Sequence, residues 1–388
     1  MTAHATGADR PRPRPRPRTR IVDIVPRLQL RGAEIFAQHL EVALRDRFVS
    51  RLLPLYAGGG AQTAWTGDEP PADVAPGVPD GPGRLLRSRA SLRARTAAFE
   101  PDVIVSHGGD PVRHAVLAGL HRRAPLVYVR VAAVTPDLRT PARSRSLRYA
   151  YGRVDAFVAV SDSLRRELTE IFGVPPARIR LIGNGRLPPP TLDDERRSRI
   201  RAELGAAPDQ ALAVWAGRFV PEKDPVAAVR LAARLPPRVH LAIVGGGGPL
   251  EHEVRAAAAS VPGLTLTGER PDAPTLIAAA DLLVSTSRTE GAPGVFVEAL
   301  LAGVPVVAHD MGGVRDVISE ETGALIPDGD EAALAAAVAE LATDPSRRER
   351  AAAAAREAGA AHGIEPVADA YAALYDELLS ERARRAGR

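Results

Sequence analysis

At 388 residues the chain exceeds one ordinary hydrophobic core and fits two domains, and 45% hydrophobic with 25% charged residues excludes a disordered or fibrous protein. It has no cysteine, which excludes disulfides and thiolate metal sites and fits a reducing cytoplasm. The formal charge of +4 is modest, and no apolar run approaches the roughly 20 residues that a bilayer span needs.

In chain order, Pro11 to Arg20 alternate proline with arginine, a tract that can form polyproline II but has nothing to bury. Residues 1–20 therefore read as a disordered tail, with an electrostatic tether to anionic lipid or nucleic acid as the alternative. No apolar segment follows to make it a secretory signal. Short apolar, β-branched runs come next, at residues 21–25, 48–55, 103–106, 126–131, 156–160 and 179–182, with helical patterns at 33–44, 112–120 and 163–171 between them. Residues 58–82, rich in Gly, Pro and Ala, read as a surface loop. Arg84, Arg87, Arg89, Arg93 and Arg95 fall on a helix with Leu85, Leu86 and Leu92, either a solvated face or a membrane-surface one. Residues 187–204 open with three prolines, continue with charge and read as a linker.

The alternation then repeats. Strands are expected at 212–216, 240–244, 264–267, 282–285, 304–308 and 324–326, with helices starting near Pro225, Leu250, Ala273, Gly294 and Glu331. Fully apolar strands alternating with helices indicate parallel sheets covered on both faces. The fold expected is α/β, with two doubly wound, Rossmann-like parallel-sheet domains facing a central cleft. Ligands of such sheets lie beyond the carboxyl ends of the strands, so a ligand is expected between the two domains.

Two stretches carry the chemistry. Gly217-Arg218-Phe219-Val220-Pro221-Glu222-Lys223-Asp224 puts a guanidinium and an ammonium just past a strand, a pair suited to a diphosphate; alone, it could equally be a solvated basic turn. Glu290-Gly291-Ala292-Pro293-Gly294-Val295-Phe296-Val297-Glu298 opens a helix. Its start presents backbone N–H groups, and its two carboxylates can accept from separate sugar hydroxyls. Alternatively Glu290 caps the helix and Glu298 is a surface residue. His107 on its own reads as a buried strand-end histidine bonded to backbone. His107 and His114 lack a third metal ligand, and Asp328-Gly329-Asp330 reads as a turn with a helix cap. Gly245 to Gly248 lack the third glycine of a dinucleotide fingerprint.

These two stretches, with residues 303–318 downstream, resemble glycosyltransferase family 4, the retaining enzymes of the GT-B fold. Further matching segments are Arg31-Gly32-Ala33-Glu34, Ser106-His107-Gly108, Ile182-Gly183-Asn184-Gly185, Val244-Gly245-Gly246-Gly247, Leu266-Thr267-Gly268-Glu269 and the helix at 367–379. The resemblance spans roughly residues 21–385. It implies a first domain over 21–190, a nucleotide-sugar domain over 191–365, and a helix over 366–388 crossing back to the first domain.

The resemblance also implies roles. Arg218 and Lys223 would hold the diphosphate with the Gly32 backbone, and Glu298 would accept from the ribose. Glu290 and the backbone of Gly291, Ala292, Pro293, Gly294 and Val295 would position the donor sugar. His107 would lie near the reacting sugar, and Gly268 and Arg270 near the base. Departures from the family pattern are Ala292-Pro293, where an aromatic residue and a glycine are usual, and Asp316 in place of a glutamate. The expected activity is transfer of a sugar from a nucleoside diphosphate, UDP-hexose or UDP-N-acetylhexosamine by base rate, to a hydroxyl acceptor. No metal or other cofactor, no nucleic acid and at most peripheral contact with an anionic membrane are expected, in a cytoplasmic bacterial enzyme. Sugar-nucleotide epimerisation and non-catalytic donor binding are the rival readings.

Overall fold

A computed structural model describes residues 18–27, 31–57, 78, 83–131 and 141–387. The first half contains β1 (Arg20–Val25), α1 (Gly32–Leu44), β2 (Val49–Pro54), α2 (Arg84–Phe99), β3 (Val103–His107) and α3 (Gly109–Leu117). It continues through β4 (Leu126–Arg130), α4 (Pro141–Tyr151), β5 (Ala156–Ala159), α5 (Asp162–Glu170) and β6 (Ile179–Leu181). After α6 (Asp194–Glu203) come β7 (Ala211–Arg218), α7 (Pro225–Ala232), β8 (Val239–Gly246), α8 (Glu251–Ala258), β9 (Leu264–Gly268) and α9 (Ala273–Ala278). The last elements are β10 (Leu282–Ser285), α10 (Gly294–Ala302), β11 (Val306–His309), β12 (Gly323–Ile326), α11 (Glu331–Thr343), α12 (Pro345–Ala361) and α13 (Ile364–Ala386).

The strands form two six-stranded parallel sheets, in the orders β2-β1-β3-β4-β5-β6 and β12-β11-β10-β7-β8-β9. Every residue of β3, β4, β5, β10 and β11 is buried, as strands sandwiched between helix layers must be. Each sheet reverses its winding once, between β1 and β3 in the first and between β7 and β10 in the second. Those reversals open crevices at the strand ends where ligands of such sheets bind.

The helix starts follow local chemistry. Ser161, Asp193, Asp330 and Asp344 each accept a backbone N–H three residues on, capping α5, α6, α11 and α12. The Asp330 cap is the one expected of the Asp-Gly-Asp turn. The region read as a linker is corrected: all but its first seven residues and Leu204 belong to α6. That helix is charged nearly all round and buries only Ile200, so it carries no amphipathic signal. It is held by Arg197 and Arg201, which both pair with Asp281 at the foot of β10. The stretch at 131–145, with no specific pattern in the sequence, enters α4 at Pro141. The loop at 58–82 lies outside the described residues except for Val78, which bridges Tyr56. The tail through residue 17 also lies outside them.

α13 packs on α1. Tyr371 lies 5.7 Å from Phe36, and Tyr375 meets Phe48 edge-on at 5.6 Å. One hydrophobic cluster runs from the first sheet through α13 and α10 to Leu212 and Val214 of the second. The two segments that pass between the lobes run side by side, where Arg186 bridges Gly363.

Candidate active site in the interdomain cleft

β7 ends at Arg218 and the next residues turn back under tight control. Pro221–Lys223 form one turn of 3-10 helix, and Asp224 follows in the left-handed region at φ 41° and ψ 61°. Asp224 then caps α7 through the Ala227 N–H at 3.1 Å. Thr286, just past β10, donates its hydroxyl to the carbonyls of Lys223 (3.1 Å) and Asp224 (2.8 Å), and accepts from Trp215 Nε1 at 3.0 Å. The Arg288 N–H donates to the Glu222 carbonyl at 2.8 Å, and its side chain pairs with Asp224. The turn carrying Lys223 is thus strapped to the loop carrying Glu290, and Lys223 Nζ lies 2.5 Å from Glu290 Oε1.

Both loops sit at the reversal between β7 and β10. Arg218 is half-buried, and its side chain has no hydrogen-bond or ion-pair partner among the described residues. It acts on Arg31 across the cleft, whose guanidinium is pushed down first by burial and next by Arg218. Two guanidinium groups facing one cavity, with the Glu34 carboxyl near both and Glu269 near Arg31, make a site that suits an anion.

The Glu290 loop is clamped on three sides. Gly313 N–H donates to the Glu290 carbonyl at 3.1 Å. A Cβ on Gly291 would lie 2.5 Å from the Val131 carbonyl of the first lobe, so only glycine allows that approach. Asn184, on the segment between the lobes, donates to the Ala292 carbonyl at 2.8 Å. Pro293 stands at the N-cap of α10 and brings no N–H, so the helix offers those of Gly294 and Val295 first.

Arg31, Gly32, His107, Arg218, Lys223, Glu290 to Val295, and Glu298 all border one cavity of about 810 Å³, together with Arg270. Gly268 does not border it. That glycine ends β9 at φ 76°, where the β8–β9 register slips, and its neighbours Glu269 and Arg270 reach the cavity instead. Arg270 is pinned by Asp272, at 2.8 and 2.7 Å, and by Glu203 of α6 at 2.5 Å. Its N–H edges are taken, and its side chain remains 28% exposed at the cavity.

Three expectations change. Glu298 is no surface residue: it is 6% exposed, burial pushes its carboxyl up, and Arg186 Nε lies 3.2 Å from its Oε1. Glu290 does not cap α10, because its carboxylate is taken by Lys223. His107 is buried, but its partner is a side chain, Asp23 Oδ1 at 2.8 Å from Nε2, rather than backbone. No polar group of the described residues pairs with its Nδ1. His114 is engaged elsewhere, with Tyr56 and the Asp110 carbonyl.

Sequence reading passed over Arg186 and Glu34. Arg186 follows the Ile-Gly-Asn-Gly signature directly, and nothing in its neighbours marks it as buried. Glu34 stands in the first turn of α1, 2% exposed at the cavity wall, its carboxyl pushed up by burial. Its clue was a lone carboxylate beside Arg31 and Gly32.

Residues 30–186 match the profile described as Glycosyltransferase Family 4, and residues 196–358 that of Glycosyl transferases group 1. D-inositol 3-phosphate glycosyltransferase of Xylanimonas cellulosilytica is 30% identical over 395 residues, covering 91% of this chain and 93% of that relative. The chain belongs to glycosyltransferase family 4. The enzyme of that name from Mycobacterium bovis is 30% identical over 380 residues, 82% of this chain and 75% of that one. Among solved structures, the fold of this family 4 glycosyltransferase is similar to Anabaena HepE in complex with UDP and glucose. The TM-score is 0.79 at 21% identity, over 93% of this chain and all of that one. Sucrose-phosphate synthase of Thermosynechococcus elongatus is similar with TM-score 0.77 at 19% identity, over 94% of this chain and 100% of that one. The two facing sheets are therefore the GT-B fold.

In this family 4 enzyme Asp316, the departure noted in the sequence, accepts the Asp162 N–H at 2.7 Å. It thereby joins the second lobe to the start of α5 in the first. Among the described residues there is no cluster of three or more His, Cys, Asp or Glu able to hold a metal, and no helix is long and apolar enough to cross a membrane.

Proposed function

We propose that the protein is a retaining, metal-independent glycosyltransferase that moves a hexose or N-acetylhexosamine from UDP to an acceptor hydroxyl. The observation that carries this is Arg218: a half-buried cation without a partner among the described residues, at the β7 end, facing Lys223, Arg31 and the start of α10. A diphosphate seated there takes charge from the guanidinium, the ammonium and the helix N–H groups together. The same groups stabilise the charge that builds on the leaving diphosphate, which is the task a divalent ion performs in other transferases.

Glu290 and the backbone from Gly291 to Val295 hold the sugar, Glu298 accepts from the ribose hydroxyls, and Arg270 stacks on the base. Lys223 passes from Glu290 toward the phosphates on binding, which releases that carboxylate for sugar hydroxyls. The acceptor attacks on the face the diphosphate leaves, and a departing phosphate oxygen takes its proton. His107, through Asp23, shapes the first-lobe wall beside the reacting sugar. Bringing the lobes together around the donor excludes water from the transfer.

Relatives named D-inositol 3-phosphate glycosyltransferases make a phosphorylated cyclitol the first acceptor to assay. The exposed Arg87, Arg93 and Leu86 of α2 favour peripheral contact with an anionic membrane on its cytoplasmic face, which sedimentation with anionic vesicles tests. The deciding experiment is thermal-shift screening against UDP, GDP and ADP and their sugars in EDTA. Stabilisation by UDP and a UDP-sugar is expected; stabilisation by another nucleotide alone, or only with added metal, overturns the donor or metal assignment.

A further inference from the structure

Arg186 lies in the cleft wall where the first turn of α1, the segment between the lobes and α10 meet, and its side chain is 1% exposed. All three guanidinium nitrogens are in use. Nε donates to Glu298 Oε1 at 3.2 Å, Nη1 to Asn184 Oδ1 at 2.7 Å and the Gly185 carbonyl at 3.0 Å, and Nη2 to the Gly32 carbonyl at 3.2 Å. Its group also lies across Gly294: a Cβ there would collide with the guanidinium. One side chain thus spans the first turn of α1, the segment between the lobes, and the helix that carries Glu298.

The arrangement leaves Glu298 something to do. A carboxylate offers about four acceptor positions, and the described contacts occupy one. Arg186 itself stands in the cavity wall, 1% exposed, with its nitrogens all engaged within the protein. Because its Nη1 and Nη2 are held by Asn184, Gly185 and Gly32, the guanidinium presents its one N–H to Glu298 from a fixed direction, which a flexible ammonium does not. Without it Glu298 would be a desolvated carboxyl whose only charged neighbour was gone, free to turn away or to lose its acceptor character.

We propose that Arg186 is a positioning residue of the donor site: it aims the Glu298 carboxylate at the ribose diol and ties that aim to the Gly32 turn of the opposite lobe. This rests on the reading of Glu298 as the ribose acceptor. Its consequence is that discrimination for a ribose diol is set by a residue supplied from the interdomain segment.

The test compares binding of UDP with that of 2′,3′-dideoxy-UDP by calorimetry in the wild-type protein and in Arg186→Met, Arg186→Lys and Glu298→Gln. Two hydrogen bonds to a carboxylate correspond to a preference for UDP on the order of 100-fold or more in the wild type. In Arg186→Met and Glu298→Gln that preference is expected to fall below about threefold, with Arg186→Lys in between because it restores charge but not the anchoring to Asn184, Gly185 and Gly32. A general weakening that leaves the ratio intact in Arg186→Met, while Glu298→Gln loses it, makes Arg186 merely structural and overturns the proposal. A ratio intact in Glu298→Gln removes the ribose reading itself and the proposal with it. Arg186→Lys carries the test if the methionine variant does not fold, and an unchanged ratio there also overturns the proposal.

Discussion

Asp224 is held at φ 41°, a backbone state that costs a non-glycine residue roughly 1–2 kcal/mol. It is retained because one carboxylate both caps α7 and pairs with Arg288, and because the bend it makes presents Lys223 to Glu290. Asn keeps the cap and tolerates the bend, glycine keeps only the bend, and alanine keeps neither. The expected order of thermal stability is therefore Asp224 wild type, then Asn, then Gly, then Ala, with about 1 kcal/mol attached to the lost cap. Alanine equal to or above glycine in melting temperature contradicts this account. Arg218→Ala is expected to lower kcat/KM about 100- to 1000-fold, the usual cost of one missing group that faces developing negative charge. Steady-state assay with a UDP-sugar checks it, and near-normal turnover rejects the diphosphate role.

At the level of elements, α13 shows what packing adds to a sequence pattern. Tyr371 and Tyr375 are fully buried against Phe36 and Phe48, yet neither hydroxyl has a partner among the described residues. Their value to the fold is the ring. Tyr371→Ala is expected to cost about 3–5 kcal/mol in denaturant melts, as for other buried aromatic truncations. Tyr371→Phe should leave stability unchanged or raise it by up to about 1 kcal/mol, since it removes an unsatisfied buried group. A clear loss with Phe would reveal a partner for the hydroxyl.

The same comparison explains how far the sequence could be read. All twelve strands are found near their expected places: the central ones, such as β3, β4, β5, β10 and β11, because a strand covered on both faces must be apolar along its whole length, and the partly exposed edge strands β2, β6, β9 and β12 from shorter apolar runs. α6 was invisible for the opposite reason: its contacts are arginines reaching one aspartate, and arginines also describe a solvated linker. The site residues on the loops after β7 and β10 were legible because glycine, proline and charge mark the loop ends. Which carboxylate meets which cation was not, since Lys223 and Glu290 lie 67 residues apart and Arg186 and Glu298 lie 112 apart. Such pairings are decided by tertiary geometry that no local pattern contains.

For the whole molecule, acid stability is expected to reflect His39. Burial first, and Arg186 second, push its imidazole down to about 3 from an ordinary 6.5, and its Nδ1 accepts the Leu187 N–H at 3.1 Å. Between those two values the unfolded chain binds a proton that the folded chain refuses. The His39 contribution is therefore constant above pH 6.5 and is lost as pH falls below it, with a slope approaching about 1.4 kcal/mol per pH unit. Glu34 and Glu298, whose carboxyls burial pushes up, act in the opposite sense above their ordinary range. Because burial also lowers His114, His121, His240 and His362, urea melts of His39→Gln between pH 6.5 and 4.5 should show a slope shallower than the wild type's by up to about 1.4 kcal/mol per pH unit, and an unaltered slope would show that the His39 share lies elsewhere.

The paired crossing at Arg186 and Gly363 has one more consequence. The chain leaves the first lobe at that point, builds the entire second sheet, and returns beside its own departure, with the Arg186 N–H 3.4 Å from the His362 carbonyl. Topologically the second lobe is a cassette inserted into the first, entered and left through adjacent doors. Recombination needs only two junctions, a few ångströms apart, to graft a different second lobe onto an unchanged first lobe. α13 would remain in place to close the graft.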